Sequence, residues 1–301
     1  MSHVAGRREP LSPRGTALVI NGDDFGYSAA INRAIVGAHE AGGLTSTTLL
    51  VNQGASREAL RLARRYPTLG VGWHVNLTEG GPVLPPGEVP SLVDRRGRFR
   101  PLGAQLAGLA VGRSGVAEVE RELRAQLALL LDAGLTPTHA DGHLHAHAFP
   151  HVLPIVLRIM AERQIPTLRS PLLGAWLPPR AAAARLVAWA ERRRVTALRR
   201  RGVVLAGRLL DAARFLAAPD PVVALVAALE RRAGASVEIM THPAWNRNAA
   251  RGTAEVALLT DRRLHVALDA LGRRRVHYGQ LVAQTVADGE AASVADRRDD
   301  V

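Results

Sequence analysis

The chain has 301 residues, of which 47% are hydrophobic but only 4% aromatic, so its core must be built mainly from Ala, Val and Leu, in one α/β barrel or two ordinary domains. It has no cysteine, which excludes disulfides, a thiolate nucleophile and Cys-ligated zinc, and leaves His, Asp and Glu as candidate metal ligands. Net charge is +12 and all 39 basic residues are arginine, but they spread over many predicted helices without interleaved aromatics or a recognition motif, which reads as solvated helix faces rather than a specific nucleic-acid surface.

Residues 1–15 are polar, carry Pro10 and Pro13 and lack the apolar core of a signal peptide, so a flexible tail is expected there. Thr16 to Ile20 is a short apolar run ending in Asn21-Gly22-Asp23-Asp24, the pattern of a buried parallel strand entering a loop. Over 28–41, Ile31, Ala34, Ile35 and Ala38 recur at helical spacing behind Ser28, a candidate N-cap, and Gly42-Gly43 closes the helix. A strand at 45–51, a helix at 56–66 and a strand at 69–75 follow. Next come a helix at 117–133, a strand at 138–141, a helix at 150–163 and a short strand at 166–169. The Ala/Arg-rich stretch of about 179–218 is expected to be helical, as are 221–232 and 261–271, with a strand at 236–240 between the last two. The segment 287–301 is small and charged, a second flexible tail. No apolar run reaches the length of a bilayer span, so a soluble, cytoplasmic protein is expected.

Five of the eleven histidines lie between His139 and His151. In an extended strand, residues two apart share a face, so His139, Asp141, His143, His145 and His147 would line one side of a pocket. Imidazoles beside a carboxylate suit a metal site; the alternative is a run of solvated loop histidines.

Repeated βα units imply a parallel sheet or barrel, in which function collects at the carboxyl ends of the strands. Asp23 and Asp24 follow the first strand, His74 lies near the end of the third, and His143 and His242 follow later ones, so these five side chains are expected on one rim. Singly, each has a plainer reading: His74 as a core histidine, the Asp pair as a helix cap. Adjacent aspartates point in different directions, so one can bind a metal while the other faces a substrate water. One Asp and two His leave open positions and suit zinc or a similar borderline metal better than magnesium. His242 could act as general acid to a leaving amine, and hydrolysis of an amide or ester is the chemistry this set fits.

Five ordered motifs carry a resemblance: Leu18 to Gly26, Gly42 to Thr48, Val71 to Leu77, Pro137 to His147, and Glu238 to Ala244. Together, over about residues 16–285, they resemble the YdjC-like carbohydrate deacetylases, which include chitooligosaccharide deacetylases and a hopanoid biosynthesis-associated branch. The resemblance implies a distorted, TIM-like (β/α) barrel, here a single domain over 16–286. It also implies one divalent metal ion, usually magnesium, and removal of acetyl groups from N-acetylated sugars. Carried over, Asp24, His74 and His143 would ligate the metal, Asp23 would be the catalytic base and His242 an acid. Arg169 would orient a carboxylate or the substrate, with His145 also on the substrate side. Gly142 and Leu144 stand where relatives commonly have polar residues, and the alternating His143-Leu-His145-Ala-His147 leans to the hopanoid-associated branch, so a glycolipid-type substrate stands beside chitooligosaccharides. The Ala-rich helices could support a homodimer. Rival readings are a metal-dependent hydrolase of another ester or a phosphoester, disfavoured by the absence of lysine, and a non-catalytic polyanion-binding protein, which gives the ordered acids and histidines no role.

Overall fold

The structure is a computed structural model; it describes residues 17–110, 115–169, 202–205, 207–232, 236–244 and 248–281, together with 193, 196–198 and 200. Both expected tails, and most of the Ala/Arg-rich stretch, lie outside the described residues.

Among the described residues, nine strands form one sheet: β1 (Ala17–Phe25), β2 (Ser46–Leu49), β3 (Gly70–Val75), β4 (His139–Gly142), β5 (Thr167–Leu168), β6 (Val204–Leu205), β7 (Arg208–Asp211), β8 (Val237–Thr241) and β9 (Arg274–Arg275). Their order is β6-β5-β4-β3-β2-β1-β8-β7, with β9 also paired to β1, and every pairing between them is parallel. Eight of these strands curl into a half-barrel flanked by helices, an α/β TIM-like fold as the sequence implies. Among the described residues, the helices with defined bounds are α1 (Ala29–Glu40), α2 (Ser56–Arg65), α3 (Leu102–Ala110), α4 (Val116–Asp132), α5 (Leu153–Glu162), α6 (Pro221–Glu230), α7 (Ala249–Thr260) and α8 (Arg262–Ala270).

Local sequence accounts for most of these elements. Ser28 caps α1 by accepting the Ile31 N–H, and Ile31, Ile35 and Ala38 face the core. In α4, Val119, Leu123, Leu127 and Leu130 recur at three- and four-residue spacing and are buried. Glu122 and Gln126, buried on the same helix, are tied down: Glu122 accepts the N–H groups of Val83 and Leu84 at 2.9 and 3.0 Å, and Gln126 donates to its carboxylate at 2.8 Å. Burial pushes the Glu122 carboxyl up, against those hydrogen bonds.

Three expectations need correction. The first strand does not stop at Ile20 but runs through Phe25, taking Asp23 and Asp24 into β1. The stretch expected to be helical to 218 contains β6 and β7, whose short runs of Val and Leu add to the two ends of the sheet. The histidine run is not one extended strand: β4 ends at Gly142 and the chain enters a short 3-10 helix over His143–Ala148, turned by left-handed Leu144 (φ 50°) and His145 (φ 55°). A turn of that hand breaks the two-residue alternation, so the histidines cannot share a face.

His139 packs inside the sheet instead. Its ring stacks on the buried Tyr278, centroids 3.7 Å apart, and occupies the space where Gly72 of β3 has no side chain: a Cβ there would lie 2.3 Å from His139 Cε1. Burial lowers the pKa of His139 to about 3, and that of His147, also buried, to about 3. Both rings are neutral in the fold and must take up protons on unfolding, so their contribution is full above the unfolded value near ~6.5 and is lost as pH falls below it. Each should cost about 1.4 kcal/mol of stability per pH unit between about pH 6 and 4. Urea denaturation across that range should show this slope, and His139→Phe, which keeps the stack, should flatten it by one proton's worth; an unchanged slope in the variant would count against the assignment.

Candidate functional site

The carboxyl ends of β1, β3, β4 and β8 bring together the five residues expected on one rim. Asp23, Asp24, His74 and His143 are all buried, with exposures of 3, 2, 2 and 7%. Asp24 has φ 68°, a left-handed backbone that is uncommon outside glycine and that turns its carboxylate away from that of Asp23. Asp24 Oδ1 lies 2.8 Å from His143 Nδ1 and 3.3 Å from His74 Nε2. Asp23 turns to the other side, where its Oδ2 is 3.8 Å from His242 Nε2.

Behind these lies a second set of contacts. His74 Nδ1 donates to Asp141 Oδ1 at 2.6 Å, which directs Nε2 toward Asp24, and Thr48 donates to Asp141 Oδ2 at 3.2 Å. His74 and Asp141 are register partners across β3 and β4. Arg169, immediately after β5 and fully buried, grips Asp23 with both terminal nitrogens at 2.8 and 2.6 Å. It also reaches Asp141 Oδ2 at 2.6 Å and, through Nε and Nη2, Glu238 Oε1 of β8 at 2.8 and 2.7 Å. Of the two partners expected for Arg169, carboxylates are the ones it meets. Asn21 adds a donor to Asp23 Oδ1 at 2.8 Å.

The charges follow from these contacts. Burial opposes ionisation of Asp23 and Asp24, yet Arg169 holds the Asp23 carboxyl below its ordinary value, and His143 and His74 hold that of Asp24 well below. Burial would also discharge His74, but Asp141, by charge and hydrogen bond, and then Asp24 raise its pKa to about 10. Burial lowers His145 to about 4, with Arg169 adding to the effect.

Among the described residues, two groups of side chains have donor atoms close enough to hold a metal ion: Asp24, His74 and His143, and Asp23, His74 and Asp141, with the atoms of each group within 4.8 Å of one another. The first group suits an ion better. Ligands sharing one ion at about 2.1 Å stand roughly 3.0–3.4 Å apart, close to the spacing of the two imidazole nitrogens from Asp24 Oδ1. Four buried acidic side chains (Asp23, Asp24, Asp141, Glu238) also gather around Arg169 and the rings of His74 and His143, a concentration of anionic donors that a bound cation would offset. In the second group, Asp23 and Asp141 are already engaged by Arg169.

The histidine run therefore divides. His143 joins the site; His145 is half-buried with its ring edge-on to His147, centroids 6.1 Å apart; His139 and His147 are core residues. Sequence reasoning gave Asp141 and Glu238 no separate roles and missed Arg251 and Glu255 on α7. Arg251 Nε donates to Glu255 at 2.7 Å, and Glu255 accepts the backbone N–H of His242. The available signal was an Arg and a Glu four apart on a helix just beyond the His242 loop.

A parallel half-barrel that gathers aspartates and histidines at the carboxyl ends of its strands defines an α/β protein with a metal-type Asp/His centre. The family model of the YdjC-like proteins matches residues 17–270, and the chain belongs to that family. A carbohydrate deacetylase of Brevibacillus brevis is 48% identical over 157 residues, covering 52% of this chain and 60% of the relative. A chitooligosaccharide deacetylase of Salmonella newport is 42% identical over 150 residues, covering 49% of this chain and 57% of the relative. The chain thus spans about 60% of the length of the curated relatives it matches. A crystal structure from Enterococcus faecalis V583, of a protein provisionally described as a cellobiose-phosphate cleavage protein, superposes with a TM-score of 0.71 at 26% identity, covering 89% of this chain and 99% of that one.

Two outcomes are expected. An ion at Asp24, His74 and His143 needs His74 neutral, so its binding near pH 7 should release about one proton and tighten about tenfold per pH unit. Calorimetric zinc titrations in buffers of different ionisation enthalpy would show this, and zero proton release would contradict it. Arg169→Met leaves three buried carboxylates without their cation and should cost about 3–5 kcal/mol in chemical denaturation; a loss under 1 kcal/mol would mean the cluster does not depend on it.

Proposed function

We propose that this protein is a metal-dependent hydrolase that removes acetyl groups from N-acetylated sugars. The observation that carries this reading is the pairing of Asp24 Oδ1 with His74 Nε2 and His143 Nδ1 beside a second, separately held carboxylate, Asp23. The deacetylase names of its relatives support the same reaction class.

Asp24, His74 and His143 hold the ion, which supplies Lewis acidity when bound. Two imidazoles and one carboxylate suit zinc or a similar metal by ligand chemistry, and magnesium by family resemblance. Asp23 is the base: ionised and fixed by Arg169 and Asn21, it takes the proton from the attacking water. Arg169 is a positioning residue, since its guanidinium is spent on carboxylates and fully buried. His242, on the far side of Asp23, is the proton-bearing group that faces the leaving amine, and His145 at the rim contacts the sugar. The substrate is a chitooligosaccharide or an acetylated glycolipid. Among the described residues no helix is long and apolar enough to cross a membrane.

Purified, metal-loaded protein should release acetate from diacetylchitobiose or a small panel of N-acetylated sugars and glycolipids. Asp23→Asn should lower kcat by about 10²–10⁴ with the ion still bound, whereas His143→Ala should lose the ion. Acetate release that survives both substitutions, or a stoichiometric ion with no release from any substrate, would overturn the proposal.

A further inference from the structure

His242 presents its two ring nitrogens to two different neighbours. Nε2 faces the Asp23 carboxylate at 3.8 Å, and Nδ1 lies 3.2 Å from a terminal nitrogen of Arg251. A guanidinium carries N–H donors and no acceptor, so at this contact Arg251 donates and Nδ1 accepts. A lone pair on Nδ1 leaves the single proton of the neutral ring on Nε2. The other tautomer, and the doubly protonated ring, would each set N–H against N–H.

Arg251 is itself held. Its Nε donates to Glu255 Oε1 at 2.7 Å, and its Nη2 also lies 3.5 Å from Asp211 Oδ1 at the end of β7. Glu255, fully buried one helical turn further along α7, accepts the backbone N–H of His242 through its other oxygen. One carboxylate therefore fixes both the main chain that carries the imidazole and the guanidinium that faces it. The start of α7 is pinned as well, since Asn248 accepts the backbone N–H of Arg251 at 3.0 Å. Asp23 from β1, Arg251 and Glu255 from α7 and Asp211 from β7 thus lie around His242, with His145 also close enough to feel its charge.

We propose that Arg251 is a positioning residue that holds His242 as the neutral tautomer protonated on Nε2, so that His242 acts as a hydrogen-bond donor and not as an imidazolium acid. Its catalytic consequence rests on the deacetylase reading. Water gives one proton to Asp23 as its oxygen bonds to the acetyl carbon. Asp23 passes that proton to the amide nitrogen as the C–N bond breaks, and acetic acid and the free amine leave. His242 keeps its Nε2 proton throughout and donates a hydrogen bond to the charge that develops beside it.

The test is a two-bond ¹H–¹⁵N correlation spectrum of the full-length, zinc-loaded protein labelled on histidine nitrogen, with His242 assigned by His242→Gln. At pH 7, Nδ1 of His242 should resonate as an unprotonated nitrogen and Nε2 as a protonated one. Arg251→Met should release the ring to the other tautomer or a mixture and lower kcat about tenfold with KM within about twofold. Arg251→Lys, still a donor, should retain the Nε2–H signature and recover most of kcat. A proton on Nδ1 in the wild-type spectrum overturns the proposal, even if Arg251→Met does not fold. An unchanged tautomer in a folded Arg251→Met protein does the same. The spectrum requires no turnover, so an Nε2–H signature without acetate release would uphold the positioning role and refute the deacetylase reading.

Discussion

The site depends on one buried cation. Arg169 takes hydrogen bonds or ion pairs to Asp23 on β1, Asp141 on β4 and Glu238 on β8, joining β4 to the neighbouring pair β1 and β8 across the intervening β2 and β3. Burying ions costs several kcal/mol each unless geometry and hydrogen bonding compensate, and the planar guanidinium compensates by engaging its partners with Nε and both terminal nitrogens. With Arg169 in place, Asp23 and Asp141 are ionised, and Asp141 in turn fixes the ring of His74. The side chains at the mouth inherit their orientation from a residue immediately after a strand of two residues, β5, and that residue's own place is secured by a backbone hydrogen bond from Arg169 to Ala140 of β4.

Backbone conformation does the rest. The left-handed residues Asp24, Leu144 and His145 lie in or just after the strands that bear the candidate ligands. Such conformations cost of order 1 kcal/mol or more outside glycine and persist only where the surroundings over-determine them. At Asp24 the result is two consecutive carboxylates serving different partners; at Leu144 and His145 it is a kink that separates His143, at the site, from His147, in the core.

Much of this was legible in the sequence. The alternation of apolar runs and amphipathic helices implied a parallel α/β sheet or barrel, because each buried strand and each helix stripe carries its own period, and the family resemblance implied the barrel. Asp23, Asp24, His74, His143 and His242 could be placed on one rim because parallel strands share their carboxyl ends. The division of the histidine run was hidden, since the spacing of His139 to His147 fits an extended strand and nothing local forces φ above zero at Leu144 or His145. Strands β6 and β7 were hidden for a different reason: four or fewer residues in Arg/Ala-rich surroundings read as helix, and only pairing with β5 and β8 makes them strands. The partnership of Arg169 with Glu238 joins positions far apart in sequence, and that of Arg251 with His242 crosses from one element to another. No periodicity reports either.

At the centre of the sheet, the ring of His139 occupies the space that Gly72 leaves bare and lies flat on Tyr278. Neither position can drift alone: a methyl at 72 meets the imidazole, and a small side chain at 139 opens a void against β3. The three residues should therefore covary as a unit across homologues, glycine at 72 with a flat ring at 139 and a larger residue at 72 with a small one, giving the barrel interior an inherited pattern independent of the chemistry at its mouth.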